Sequence, residues 1–261
     1  MSTFITFKNT KIHFEDIGKG NAVVLLHGFL ENSTMWKGVL QQLSKKNRVI
    51  SIDLLGHGQT ECLGYVHTME LMAEAVHVVI NHLKIRRSTF IGHSMGGYVA
   101  LAYAEKYPDS VKGLCLINST SKADSLERKK NRDRAIEAVK QNHKTFIRMS
   151  IANLFRPKNR TLFAHEINEI KREALKTPIQ SIIAALEGMK IRQDREAVLH
   201  FGPFKKMMII SKKDPVLSFE SLLEQTKNTD IITVQFPDGH MSHIENKELF
   251  SYNIMRFIEN I

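Results

Sequence analysis

The sequence predicts an α/β fold: a mostly parallel central sheet flanked by helices, with a helical cap inserted after the sixth strand. Three observations carry this. Short β-branched and apolar runs, bounded by turn residues, alternate with stretches of helical apolar spacing. Runs such as Ala22-Val23-Val24-Leu25-Leu26 are apolar throughout, as strands covered on both faces are. Residues 121–200 then interrupt the alternation, with no convincing strand and several charged, partly amphipathic helical stretches.

Taken in order, residues 3–17 alternate as a hairpin does, and Gly18-Lys19-Gly20-Asn21 signals a turn. The strand at 22–26 ends in His27-Gly28-Phe29-Leu30. Ser33 is expected to cap a helix running to about Leu43. Arg48 to Asp53 reads as a buried strand entering the loop Leu54-Leu55-Gly56-His57-Gly58. Thr68 opens a helix whose Leu71, Met72, Ala75, Val78, Val79 and Leu83 recur at near-helical spacing. Strands follow at 88–93 and 111–117. After the cap, Gly202 and Pro203 mark the return to strands at 206–211 and 231–236. A helix is expected from Phe219 to about Lys227, and a final one from about Glu245 to the end. The division expected is a core of residues 1–120 and 201–261, with the cap at 121–200.

The chain has 261 residues, enough for one large domain with an insertion. No run of about 18 apolar residues is present, so neither a membrane span nor a membrane partner is expected. The first residues go straight into strand pattern and lack the features of a signal peptide. Cys62 and Cys115 read as free thiols of a reducing cytoplasm. The net charge is +10, and residues 121–205 hold 19 Lys+Arg against 10 Asp+Glu, a net of +9. The interspersed acids suit a solvated helical surface; the alternative is attraction of an anionic substrate. The basic segment contains no nucleic-acid-binding module.

The chemistry gathers at Gly92-His93-Ser94-Met95-Gly96, between a strand and a helix. The pattern Gly-x-Ser-x-Gly is that of a nucleophile elbow, a turn sharp enough to push the serine hydroxyl into the open. Its helix N-terminus has unpaired N–H groups suited to a developing oxyanion. In a parallel sheet, loops at the strands' carboxyl ends converge on one edge, where ligands bind. His27, Asp53, Ser94, Asp214 and His240 all fall at such ends.

With His27-Gly28-Phe29, Asp53 to Gly58, the elbow, Asp214, and Gly239-His240 followed by Glu245, the chain resembles the α/β-hydrolase fold family. The matching pieces span nearly the whole chain except the cap, in the family's order of serine, acid, histidine. The resemblance implies Ser94 as nucleophile, His240 as base and Asp214 as the residue orienting it. It implies an oxyanion hole of the Phe29 and Met95 backbone N–H groups. His243 is a rival to His240, Asp238 to Asp214, and Asn118 cannot supply a charge. His27, Asp53 and His57 are expected to be structural. With no P-loop, no Gly-x-Gly-x-x-Gly and no metal-ligand spacing, no cofactor or metal is expected.

The function implied is hydrolysis of a carboxylic ester or thioester of a small molecule through an acyl-enzyme on Ser94. Alternatives are a lyase like the menaquinone-pathway synthases, a carbon–carbon bond hydrolase, or a non-catalytic ligand-binding protein. The synthase branch carries an arginine where this chain has Tyr98; Arg148, Arg156 or Arg192 of the cap are candidates to compensate. Met69, Met72, Phe146, Met149, Ile151, Leu154, Phe155 and Met189 are candidates for the pocket wall or for the core beneath the cap.

Overall fold

In the computed structural model, which describes residues 2–261, the apolar runs become one sheet. Among the described residues its strands are β1 (Ser2–Phe7), β2 (Thr10–Ile17), β3 (Asn21–Leu26), β4 (Asn47–Ile52), β5 (Ser88–His93), β6 (Val111–Ile117), β7 (Lys205–Ser211) and β8 (Ile232–Phe236). Their spatial order is β1-β2-β4-β3-β5-β6-β7-β8. Only β2 runs against its neighbours; from β4 to β8 every pairing is parallel. Chain order reverses at β3, between β4 and β5, which opens a crevice at that sheet edge.

The central strands are apolar on both sides because both faces are covered. On β3, Val24 and Leu26 face α2 (Met69–His82) and α3 (Met95–Lys106). Val23 and Leu25 face α1 (Lys37–Leu43) and a C-terminal helix at Lys247–Glu259. The same alternation separates Phe90 from Ile91, and Leu116 from Ile117.

The cap lies between β6 and β7. It contains α4 (Leu126–Leu154), α5 (Ala164–Ala174), α6 (Ile179–Lys190) and α7 (Glu196–Phe201), the last packed against α3. Helix α4 breaks at Asn142, where φ is −156° and ψ is 84°. The Asn142 Oδ1 accepts the Thr145 N–H at 3.0 Å, so the residue caps the helix's second half from within. The chain closes with α8 (Phe219–Glu224), α9 (Ser242–Glu245) and α10 (Lys247–Glu259). No helix among the described residues is long and apolar enough to cross a membrane.

Three expected boundaries move. The first cap is Asn32, whose Oδ1 accepts the Thr34 N–H at 3.0 Å. Ser33 lies inside a 3₁₀ turn, with its own N–H given to Asp53 Oδ1 at 2.7 Å. Helix α8 stops at Glu224 and passes into turns at 225–228, with Gln225 buried at its end. The Gln225 Oε1 accepts from the Thr120 hydroxyl and from both the N–H and the hydroxyl of Ser121. The last helix is two helices, separated by Asn246 at φ −136° and ψ 41°.

Candidate active site

Ser94 sits between β5 and α3 with φ 50° and ψ −114°, a left-handed conformation that non-glycine residues rarely adopt. Its surroundings hold it there. The Ser94 N–H donates to Ile117 O at 2.9 Å, and its carbonyl accepts from the Ser119 hydroxyl at 2.8 Å. The flanking glycines are needed for close approach. A Cβ on Gly92 would stand 2.5 Å from Gly96 O, and one on Gly96 would strike the carbonyls of Leu26 and His27. The elbow is thus wedged against the end of β3.

His240 follows β8 and is 1% exposed. Its Nδ1 lies 2.7 Å from Asp214 Oδ2, on the turn after β7. The carboxylate accepts, so Nδ1 carries the hydrogen and Nε2 is left with its lone pair. Asp214 is locked in turn: its Oδ1 accepts from the Val216 and Leu217 N–H groups at 2.7 and 3.1 Å. Main-chain bonds fix His240 from three directions. Its N–H donates to Leu154 O at the end of α4, and its carbonyl accepts from Asn118 Nδ2 at 2.7 Å and His93 Nε2 at 3.0 Å. Asn118, weighed only as a rival acid, is instead a strut joining β6, β7 and the His240 loop, since its Oδ1 accepts the Ser211 N–H.

Sequence reasoning missed a second buried pair behind the nucleophile. Glu31 Oε2 accepts from His93 Nδ1 at 2.8 Å and from the Gly28 N–H at 2.9 Å. With acceptors at both ring nitrogens, His93 is held as an imidazolium. Burial works against that charge, but Glu31 and the His240 carbonyl outweigh it and raise the His93 pKa. Burial alone would raise the Glu31 carboxyl, yet the charge and hydrogen bond of His93 hold it at about 2. The sequence signal was the adjacency of His93 to Ser94; its partner is 62 residues away.

The other candidates occupy structural posts. His27 Nδ1 donates to Gly28 O and its Nε2 accepts the Leu54 N–H, tying the loops after β3 and β4. Asp53 accepts from His13, Ser33 and Gln59. Burial lowers His57 to about 3 and His243 to about 4, so both rings stay neutral. Asp238 is engaged by Arg156 and Asn159, away from His240.

Ser94 and His240 line one cavity of about 80 Å³, together with Phe29, Tyr98, Ile151, Leu154 and Met189. No hydrogen bond joins the Ser94 hydroxyl to the ring among the described residues; such bonds often tighten only in the reactive complex. The N–H groups of Phe29 and Met95 donate to no acceptor among the described residues. Of the other proposed wall residues, Phe146 lines an adjoining cavity, Met69, Met72 and Phe155 are core, and Met149 is exposed. The arginines that reach the cavity are Arg128 and Arg132, not the three suggested by sequence. Arg148 is exposed, Arg156 pairs with Asp238, and Arg192 pairs with Asp124. Among the described residues no three His, Cys, Asp or Glu side chains cluster so as to hold a metal ion.

Comparison with known proteins identifies the fold's family. The family model for the alpha/beta hydrolase fold matches residues 21–247. A thermophilic esterase from Thermogutta terrifontis, solved with malate bound, superposes with a TM-score of 0.90 at 30% identity, over 100% of this chain and 98% of the other. An esterase from Exiguobacterium antarcticum superposes with a TM-score of 0.89 at 24% identity, over 99% and 100%, a likeness of fold. Among curated sequences, an uncharacterized protein of Mycobacterium bovis is 36% identical over 116 residues, which is 44% of this chain and 34% of that protein. The match thus spans about a third of the length of such curated relatives. With the matched model covering most of the sequence and the sheet, elbow and inserted cap in place, the chain belongs to the α/β-hydrolase fold family.

Proposed function

We propose that this chain is a serine hydrolase that cleaves a carboxylic ester or thioester of a small molecule. The observation that carries the reading is the shielded His240–Asp214 pair, 2.7 Å apart, opening onto the cavity that Ser94 also lines. The likeness to the Thermogutta esterase supports ester chemistry.

In this mechanism the Ser94 Oγ attacks the carbonyl carbon as His240 Nε2 takes its proton. The carbonyl oxygen becomes an oxyanion facing the Phe29 and Met95 N–H groups, which have no competing acceptor among the described residues. Collapse expels the alcohol or thiol, which leaves with the proton held by His240, and an acyl-Ser94 ester remains. Water then attacks that ester, giving its proton to His240. Release of the acid returns the proton to Ser94. Asp214 holds the ring in the required tautomer and stabilises its charge during each transfer. The Ser94–Ile117 and Ser94–Ser119 bonds keep the nucleophile in its strained geometry without substrate energy being spent on it.

A fluorophosphonate probe tests this directly. It labels the wild type and fails to label Ser94→Ala, and the same substitution abolishes turnover of a short-chain p-nitrophenyl ester. Labelling that survives in the variant would discard the nucleophile. An unlabelled wild type would favour a ligand-binding protein on the same fold. We also propose a cytoplasmic setting, supported by Cys62 and Cys115 being unpaired thiols. The functional units proposed are a core of 1–120 and 201–261 with a cap of 121–200.

A further inference from the structure

Three guanidinium groups surround one carboxylate above Ser94. The Asp124 side chain is wholly shielded. It accepts from Arg128 Nε at 3.1 Å, Arg132 Nε at 3.0 Å and Arg192 Nη1 at 2.5 Å. Arg192 is taken up by this contact, by the Met189 and Lys122 carbonyls, and by stacking 4.2 Å over Tyr98. Arg128 also gives Nη1 to Val216 O at 3.0 Å. Arg132 commits only its Nε; its two terminal nitrogens make no hydrogen bond among the described residues. One negative charge therefore faces three positive ones, and the excess belongs to the arginines that reach the cavity.

Their position matters as much as their charge. Arg128 and Arg132 line the inner cavity with Ser94 and His240, and also an adjoining one of about 360 Å³. They stand where the two chambers meet. Among the described residues the outer chamber has no acidic lining residue; its other walls are polar or apolar, Phe146, Leu186 and Asn131 among them. Among the described residues, the carboxylate on the inner chamber's wall is Glu31, already paired with the His93 imidazolium. Asp124, behind the walls, offsets one of these positive charges, and among the described residues no unpaired carboxylate lines either chamber to offset the rest.

We infer that Arg132, assisted by Arg128, binds an anionic group on the substrate, and that the esters this site hydrolyses carry a carboxylate a few bonds from the scissile carbonyl. The inference rests on the esterase reading and names its substrate class. A free guanidinium edge matches a carboxylate with two parallel N–H bonds, which a lysine cannot reproduce. The small inner chamber sets the reach: it admits a short chain, so the charge lies close to the bond that breaks.

The test compares monoethyl glutarate with ethyl valerate, and monoethyl succinate with ethyl butyrate, by pH-stat. Each pair has one acyl length and differs only in the terminal carboxylate. The wild type favours the charged ester in kcat/KM by more than about tenfold, the scale of a charged hydrogen bond. Arg132→Gln lowers that ratio by about tenfold, and Arg132→Lys recovers only part of it. An independent reading needs no variant: glutarate slows fluorophosphonate labelling of wild-type Ser94, valeramide does not, and about 0.5 M salt weakens the protection. A wild-type ratio near one, or a ratio unmoved in Arg132→Gln, overturns the inference, as does labelling indifferent to glutarate. If neutral esters are still cleaved through Ser94 in that event, the esterase reading survives alone. If no ester is cleaved and no label is taken, both fail together.

Discussion

The sheet edge and the cap build opposite halves of the site by different means. At the edge each chemical group is fixed by short bonds to main chain. Ser94 is pinned to β6, and the His240 carbonyl and N–H are both occupied. In the cap, Arg128 and Arg132 come from one half of α4, while Ser150, Ile151 and Leu154 come from the other. In a straight helix, residues 132 and 150 would lie about 27 Å apart. They meet around a cavity of about 80 Å³ because the helix breaks at Asn142. Reaction chemistry is therefore written into rigid, local wiring. Selectivity is written into a bend and a charge imbalance, and among the described residues these meet the triad only through the Leu154 carbonyl that receives the His240 N–H and the Val216 carbonyl that receives Arg128.

The largest effect should come from the edge. Asp214→Asn leaves the Oδ1 contacts to Val216 and Leu217 available but offers an amide, not a carboxylate, to His240 Nδ1. The ring then loses both its tautomer and its counter-charge. The expected fall in kcat is about 10⁴-fold, with melting temperature nearly unchanged. A fall of less than about tenfold would reduce this pair to a structural one, like His93–Glu31.

Glu31→Gln tests the contrast between the two buried pairs. Both are short and shielded, but His93 has an acceptor at each nitrogen, whereas His240 keeps one nitrogen toward the cavity. Removing the Glu31 charge strands an imidazolium next to the nucleophile. The expected cost is about 3–5 kcal/mol of stability. The pH dependence has two limbs. Glu31 contributes fully above the ordinary carboxyl value of 4.5, and its contribution is lost as pH falls toward about 2. His93, whose pKa is raised, contributes fully below 6.5 and loses its share as pH climbs past the raised value. Urea unfolding across pH should show the wild-type advantage widest between 4.5 and 6.5. An advantage independent of pH would assign the loss to packing.

The same division explains what could be read from the sequence. Strand positions, the elbow and the residues at strand ends are local patterns, and the structure has them at the same places. The pairing of His93 with Glu31 joins loops 62 residues apart, and nothing near either residue announces it. Arg128 and Arg132 do share one helical stripe, four residues apart, just after the Asp124 that precedes the helix's Ser125 cap. Whether that stripe faces the cavity depends on the break in α4. An asparagine inside a helical pattern does not reveal whether it continues or caps. The Ser33 expectation failed on a similar choice, since Asn32 and Ser33 are both good caps and only the Ser33–Asp53 bond decides between them.

Asn142→Ala probes the bend itself. It removes the acceptor for the Thr145 N–H, an internal cap worth about 1 kcal/mol. Unfolding should register that loss. The preference for charged over neutral esters should fall as well, because the two halves of α4 then hold the chamber less firmly. Unchanged stability and an unchanged preference would assign the bend to the packing of α4 against α5 and α6.

The smallest effect sharpens the distinction between a placed charge and a general one. Arg148 is on the same helix as Arg128 and Arg132, carries the same charge, and is exposed outside both chambers. If the cap's excess of positive charge merely draws anions in, Arg148→Gln should slow monoethyl glutarate about as much as any other arginine change, and salt should erase the difference. If selectivity lies in the two guanidiniums above Ser94, Arg148→Gln should alter the glutarate-to-valerate ratio by less than about twofold and stability by less than about 0.5 kcal/mol. A loss equal to that of Arg132→Gln would move the recognition from a site to a field.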